Sequence, residues 1–238
     1  MPWLDPDSLW FPDPATALTE PNGLLAVGGD LCVERLLAAY QRGIFPWFEQ
    51  GQAPLWWSPD PRMVLFPAEF HHSRSLRKTL RSGRFSVSSD RDFAAVTAAC
   101  AAPRQGSRGT WLIPAMRRAY QRLHQLGYAH SVEVWQDEQL VGGLYGVALG
   151  KVFFGESMFS RTSDASKTAL AALAGQLQSH GFALIDCQVS NPHLQTLGAR
   201  PITRADFLRY LPEPGAIGPG PLWPLEWPLT ALQPAFGP

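Results

Sequence analysis

Apolar positions along the chain change period several times, and each change predicts an element. Leu36, Leu37 and Tyr40 fall at helical spacing and predict a helix over Val33–Arg42. Asp30 is placed to cap it and Gly43 to stop it, and Gly28-Gly29 makes a tight turn just before. From Met63 the run MVLFP predicts a strand, followed by a helix over His72–Leu80 and a short strand at Phe85–Val87. Helices over Asp92–Ala102 and Pro114–Leu126 come next, the second ended by Gly127. Val132 and Val134 alternate with Glu133 and Trp135, the period of a half-buried strand. Turns at Asp137-Glu138 and Gly150-Lys151 lead into Leu140–Leu149 and Val152–Met158, an antiparallel meander. Leu170, Leu173 and Leu177 form one stripe of a helix over Asp164–His180, with Asp164 as cap and Gly181 as stop. Ala183–Val189 reads as a buried strand and Asn191–Leu197 as a short helix ended by Gly198; Ile202 and Ala205–Tyr210 follow.

This order predicts an α+β protein in three parts. Residues 1–62, rich in Pro, Gly and Trp, form a small N-terminal lobe, and residues 63–211 form the larger unit. Residues 212–238 carry eight prolines and form a tail that is neither helix nor central strand. The tail still holds Leu222, Trp223, Leu225, Trp227 and Leu229, so part of it is expected to pack on the body.

Composition narrows the function classes. The 238 residues hold 20 basic and 20 acidic side chains, so any nucleic-acid contact must come from a local patch. Three cysteines without a Cys-x-x-Cys pair indicate neither a disulfide framework nor a zinc site and suit a reducing cytosol. The six histidines show no metal-ligand spacing, so no metal is assigned. No signal peptide and no membrane span are expected, which predicts a cytoplasmic protein. The nine tryptophans leave two readings: staples of a loop-rich lobe, or a surface that binds bases or sugars.

Strand, strand, strand, long helix, strand and short helix from Val132 onward is the core order of GNAT-type acyltransferases. That fold has a mixed, mainly antiparallel sheet in which two splayed strands open a cleft. The Arg/Gln-x-x-Gly-x-Gly/Ala loop that holds coenzyme A pyrophosphate in such enzymes does not precede Asp164–His180. Within that frame Asp186 and Gln188, two apart on an apolar strand, are expected to share a face, with Cys187 pointing into the core. A carboxylate and an amide there are costly unless satisfied or useful, so a buried structural pair and a catalytic pair both remain open. Glu156, among Phe and Met, is likewise either a cation receptor in a pocket or a satisfied structural acid. Arg74, Arg77, Lys78, Arg81 and Arg84 recur at three- and four-residue steps; they form a solvated face or a small phosphate-tracking patch.

The chain resembles the leucyl/phenylalanyl-tRNA–protein transferases through GLLAVGGDL (Gly23–Leu31), AYQRGIFPWF (Ala39–Phe48) and WWSPDPR (Trp56–Arg62). Thr110-Trp111, AHSVEVW (Ala129–Trp135), LVGGLYGVALG (Leu140–Gly150), FFGESMFS (Phe153–Ser160), ASKTAL (Ala165–Leu170) and IDCQ (Ile185–Gln188) continue the likeness, which runs to about Tyr210. The resemblance implies transfer of Leu or Phe, and less well Met, from aminoacyl-tRNA to proteins with N-terminal Arg or Lys. It implies a GNAT-like catalytic domain that uses tRNA and needs no cofactor, in a monomer that feeds N-degron proteolysis. On this reading Asp186 accepts or steers a proton, Gln188 orients the amine and Glu156 pairs with the acceptor's basic side chain. Leu144, Phe153, Met158, Leu170, Leu173 and Ile185 would wall a pocket for the donor side chain. Trp57 and Trp111 would stack on the terminal adenosine, and the basic cluster would meet tRNA phosphates. Leu144 and Leu173 stand where Met and Phe are expected in relatives, which implies a reshaped pocket. Two rivals are another tRNA-dependent GNAT-fold transferase and a non-enzymatic RNA- or carbohydrate-binding module.

Overall fold

The computed structural model describes residues 1–103, 110–213 and 226–227. Two sheets organise them. Strands β1 (Trp3–Leu4), β2 (Leu24–Gly28), β3 (Phe45–Pro46) and β4 (Leu55–Trp57) form a small sheet beside helix α1 (Val33–Tyr40). The apolar pattern announced only the helix. These strands are two to five residues long, too short to show a period, and Trp56 rather than an alternating face pins them. Its indole is fully buried, donates to the Gly28 carbonyl at 2.9 Å and meets the Phe11 ring edge-on. Asp30 does not occupy the cap position of α1, which falls to Cys32; its carboxylate accepts from the Cys32 N–H and from buried Arg35 instead.

The large sheet begins with β5 (Arg62–Leu65), followed by α2 (Arg74–Arg81), β6 (Ser86–Ser89), α3 (Phe93–Ala101) and α4 (Pro114–Gln125). The meander is β7 (Ala129–Gln136), β8 (Gln139–Leu149) and β9 (Val152–Ser160), and α5 (Ala165–Ser179) leads to β10 (Leu184–Gln188). Then come α6 (Pro192–Gln195), β11 (Arg200–Ile202), α7 (Arg204–Leu208) and β12 (Glu226–Trp227). Spatial order is β11-β5-β10-β9-β8-β7-β6-β12, and every pairing is antiparallel except β9 with β10. The fold is therefore α+β with a mixed, mainly antiparallel sheet. From the tail, Glu226–Trp227 pairs with Val87 and Ser88 on the sheet edge. Leu222, Trp223, Leu225 and Leu229 lie outside the described residues.

Helices cover both faces of the meander. Helix α5 packs on β7, β8 and β9 over a core that includes Val132, Val134, Leu144, Leu170 and Leu173. Helices α1, α3 and α4 cover the other face, where Tyr120, Tyr145, Val147 and Phe154 join the small sheet's Phe45 and Trp56 in one apolar cluster. Burial on both faces explains why LVGGLYGVALG lacks polar alternation. It also corrects the half-buried reading of β7. Glu133 is fully buried, and its carboxylate is satisfied by the Ser88 and Ser131 hydroxyls and the Asp92 N–H. Asp164 stands at the head of α5 at φ 66° but makes no capping hydrogen bond; its carboxylate takes Lys167 and the Thr79 hydroxyl.

Candidate functional site

Two bulges break the sheet where β9 and β10 part. Parallel pairing runs from Leu184–Val152 to Asp186–Phe154 and stops. On β8, Tyr145 pairs with Ser157 and Gly146 with Gly155, so Glu156 is passed over. On β5, Val64 pairs with Asp186 and Met63 with Gln188, so Cys187 is passed over. A bulge leaves its extra residue outside the ladder and re-aims side chains. Gly146 is required here, because a Cβ would collide with the Phe154 carbonyl and the Phe153 ring. Gln188 sits at φ 64°, a left-handed conformation that costs a non-glycine residue about 1–3 kcal/mol and clusters at functional sites.

The parted strands open a cavity of about 300 Å³. Leu144, Phe153, Met158, Leu170, Leu173 and Ile185, the side chains expected to wall a donor pocket, all line it. So do Glu156, Asp186, Gln188 and Trp111. Trp57 does not. It is turned away to donate to the Trp47 carbonyl at 2.7 Å, its ring 5.6 Å from that of Trp47. Trp47, 42% exposed, is the tryptophan that the small sheet presents to the cavity, next to Phe45 and Pro46. Cys187 was expected to face the core away from Asp186, but the bulge brings it to the cavity wall as well. Burial pushes its thiol pKa upward, which argues against a nucleophilic thiolate.

The two carboxylates at the cavity have different partners. Asp186 is 0% exposed and takes both arms of an equally buried Arg62: Nε to Oδ1 at 2.8 Å and Nη2 to Oδ2 at 2.6 Å. The Gln188 N–H also donates to Oδ1 at 2.9 Å. Arg62 in turn donates to the Gly43 carbonyl and lies over the Phe45 and Phe207 rings. The apolar strand around Asp186 marks it as costly to bury but does not name Arg62 as its partner. The available signal was an arginine at the head of the apolar strand MVLF.

Glu156 is held by neutral donors. Tyr40 donates to Oε1 at 2.7 Å, Tyr120 to Oε2 at 2.6 Å and the Gln188 amide to Oε1 at 3.1 Å. Burial is the main cause that raises its pKa to about 7, against the opposing pull of the two phenols. Tyr40 and Tyr120 are both fully buried, and in the sequence each reads only as a core residue of an amphipathic helix. Gln188 thus touches both carboxylates, Asp186 by its backbone and Glu156 by its side chain.

The basic cluster is elsewhere. Arg74, Arg77, Lys78, Arg81 and Arg84 are all exposed on α2 and its exit, and none lines the cavity. Arg84 donates to the Ser163 carbonyl and covers the Phe85 ring. Among the described residues, no group of three His, Cys, Asp or Glu side chains could hold a metal ion, and no helix is long and apolar enough to cross a membrane.

Comparison with known proteins is consistent along the chain. Residues 64–212 match the family described as leucyl/phenylalanyl-tRNA protein transferase, and residues 29–60 match that family's N-terminal domain. The leucyl/phenylalanyl-tRNA–protein transferase of Ectopseudomonas mendocina is 63% identical over 209 residues, covering 88% of this chain and 92% of that protein. The one from Cellvibrio japonicus is 63% identical over 211 residues, covering 89% and 90%. Among solved structures, a GCN5-related N-acetyltransferase from Kribbella flavida matches at TM-score 0.39 and 12% identity, over 70% of this chain and 60% of that one. L-PGS from Bacillus licheniformis matches at TM-score 0.36 and 12% identity, over 70% and 53%. With family matches over most of its length and relatives above 60% identity, the chain is an aminoacyltransferase and belongs to the leucyl/phenylalanyl-tRNA–protein transferase family.

Proposed function

We propose that this protein transfers Leu or Phe, and less well Met, from aminoacyl-tRNA to the α-amine of proteins that begin with Arg or Lys, forming a peptide bond that marks them for N-degron proteolysis. One observation carries the reading: a single cavity is lined by an apolar set of side chains, two carboxylates and two tryptophans. Leu144, Phe153, Met158, Leu170, Leu173 and Ile185 offer an uncharged donor side chain a dry chamber. Trp47 and Trp111 are placed to stack on the terminal base, the usual way unpaired nucleotides are held. The exposed cations of α2 meet phosphates farther along the tRNA, which gives a neutral chain its local basic face.

The aminoacyl ester is already activated, so the enzyme chiefly positions two reactants. Asp186, neutralised by Arg62, fixes the cavity wall and through Oδ1 holds the Gln188 N–H in place. Gln188 has given its amide hydrogen to Glu156, and its carbonyl oxygen is left to orient the incoming nitrogen. The test is transfer of labelled Leu or Phe from charged tRNA to a peptide with N-terminal Arg. An N-acetylated peptide and one beginning with Ala serve as controls. Label on the Arg peptide alone is the expected result. Equal labelling of the Arg and Ala peptides, or none at all, would overturn the reading.

A further inference from the structure

The arriving α-ammonium must lose a proton before it can attack, and two carboxylates line the cavity as candidate acceptors. Asp186 is poorly suited. Its oxygens already hold both arms of Arg62 and the Gln188 N–H, and a proton there would leave a fully buried guanidinium without its counter-charge. Glu156 differs in both respects. It is 8% exposed at the cavity wall, and no cation is hydrogen-bonded to it.

The geometry around Glu156 makes room for one proton. Three short hydrogen bonds close a ring: Tyr40 Oη to Glu156 Oε1 at 2.7 Å, Tyr120 Oη to Oε2 at 2.6 Å, and Tyr40 Oη to Tyr120 Oη at 2.8 Å. Each of the three needs one hydrogen, and each phenol supplies one. With Glu156 ionised, two hydrogens serve three positions. A proton on Oε2 completes the ring, running from Oε2 to Tyr120, from Tyr120 to Tyr40 and from Tyr40 back to Oε1. The Gln188 amide fits either state, because it donates to Oε1. We infer that Glu156, closed into a ring with Tyr40 and Tyr120, is the base that takes the proton from the acceptor's α-ammonium, with the two tyrosines as its positioning residues. This rests on the transfer reading above and gives Glu156 the α-ammonium instead of the acceptor's basic side chain.

The surroundings support the assignment from every side. Tyr40 faces Glu156 from α1, Tyr120 from α4, Tyr145 from β8, Gln188 and Asp186 from β10, and Arg62 from β5. Burial outweighs the hydrogen bonds and Arg62, and the carboxyl ionises at about 7. That is close to the acceptor amine's own value of about 8, the match that efficient proton transfer needs. In the step, an ammonium N–H bond breaks and its proton goes to Glu156. The freed lone pair forms a C–N bond at the ester carbonyl carbon. As the tetrahedral adduct collapses, the C–O bond to the terminal ribose breaks and the second nitrogen proton leaves with that oxygen. Glu156 then returns its proton to solvent, so one amide, one ribose hydroxyl and one proton result per turnover.

The test is the pH dependence of kcat/KM for the acceptor peptide between pH 5.5 and 9, with the full-length chain and saturating charged tRNA. The wild-type protein should show an acid limb near pH 7. Glu156→Gln should lower kcat by about 10²-fold or more and shift the limb to the amine's own value of about 8. Tyr40→Phe and Tyr120→Phe each remove a hydrogen bond to the ionised carboxylate and should move the limb upward. Arg and Lys peptides share the α-amine but differ in side chain, and Glu156→Gln should reduce kcat for both by the same factor. A loss confined to KM for the Arg peptide, with the limb unmoved, would assign Glu156 to the side chain and overturn the proposal. An unchanged limb in both tyrosine variants would overturn it too. Failure of the wild-type protein to label any Arg or Lys peptide would instead refute the underlying transfer reading.

Discussion

Arg62 and Asp186 are 124 residues apart in sequence and fully buried together, and their separation makes a sharp test of what holds the cavity wall. Asp186→Asn keeps the shape of the side chain and removes its charge. Arg62 then retains the Gly43 carbonyl and the faces of Phe45 and Phe207, none of which supplies a negative charge. Breaking a buried ion pair by removing one partner costs about 3–5 kcal/mol. At roughly 2–4 °C per kcal/mol for a chain of this size, Tm should fall by roughly 6–20 °C. The double variant Arg62→Met, Asp186→Leu replaces both charges with apolar groups and should recover most of the loss, because a buried pair exchanged as a unit is often neutral. Thermal melts of the single and double variants read both effects. Transfer activity should stay low in the double variant, since the Gln188 N–H loses the acceptor that holds its left-handed turn. A single variant that melts within about 1 °C of the wild type, or a double variant no more stable than the single, would refute a stabilising role for the pair.

Three further outcomes follow from other parts of the molecule. Glu156 binds its proton more tightly folded, at about 7, than its ordinary value of 4.5. Its contribution to stability is therefore complete below pH 4.5 and lost as pH rises through 7, so the Tm advantage of wild type over Glu156→Gln should shrink across that window; a difference independent of pH would contradict the raised value. Leu173 is 1% exposed on α5 and lines the chamber. Leu173→Ala widens the chamber and should cut Leu transfer more than Phe transfer in a competition assay with both charged tRNAs, and an unchanged ratio would place the donor elsewhere. Arg77 and Lys78 are exposed on α2. Replacing both with Ala should lower the slope of log K against log salt for tRNA binding by about 0.7–0.9 for each phosphate no longer neutralised, with the melt unchanged; an unaltered slope would return this face to solvent.

Most of the element order was legible because it follows from apolar spacing, which local chain geometry dictates. Helices α1 to α5 and the meander fell within a few residues of their expected limits, and the six chamber residues came together as the resemblance implied. Asp186, Gln188 and Glu156 were singled out for the cost of polar groups in apolar strands, and all three reach the cavity. Their partners were not legible. Arg62, Tyr40 and Tyr120 come from distant segments, and nothing in the spacing of an ordinary amphipathic helix says that its tyrosine will meet a glutamate 116 residues away. Alternation along a strand failed at β10 for the same reason: the bulge that brings Cys187 to the wall exists only against β5. Trp47 lines the cavity and Trp57 does not, because a four-stranded sheet, invisible in such short segments, decides which indole faces it. Sequence alone determined the longer elements of the large sheet and its helices and the chemistry carried on them. Tertiary structure decided how each carboxylate is neutralised, because charge and proton affinity depend on the neighbours packed against a group and on how much water they exclude.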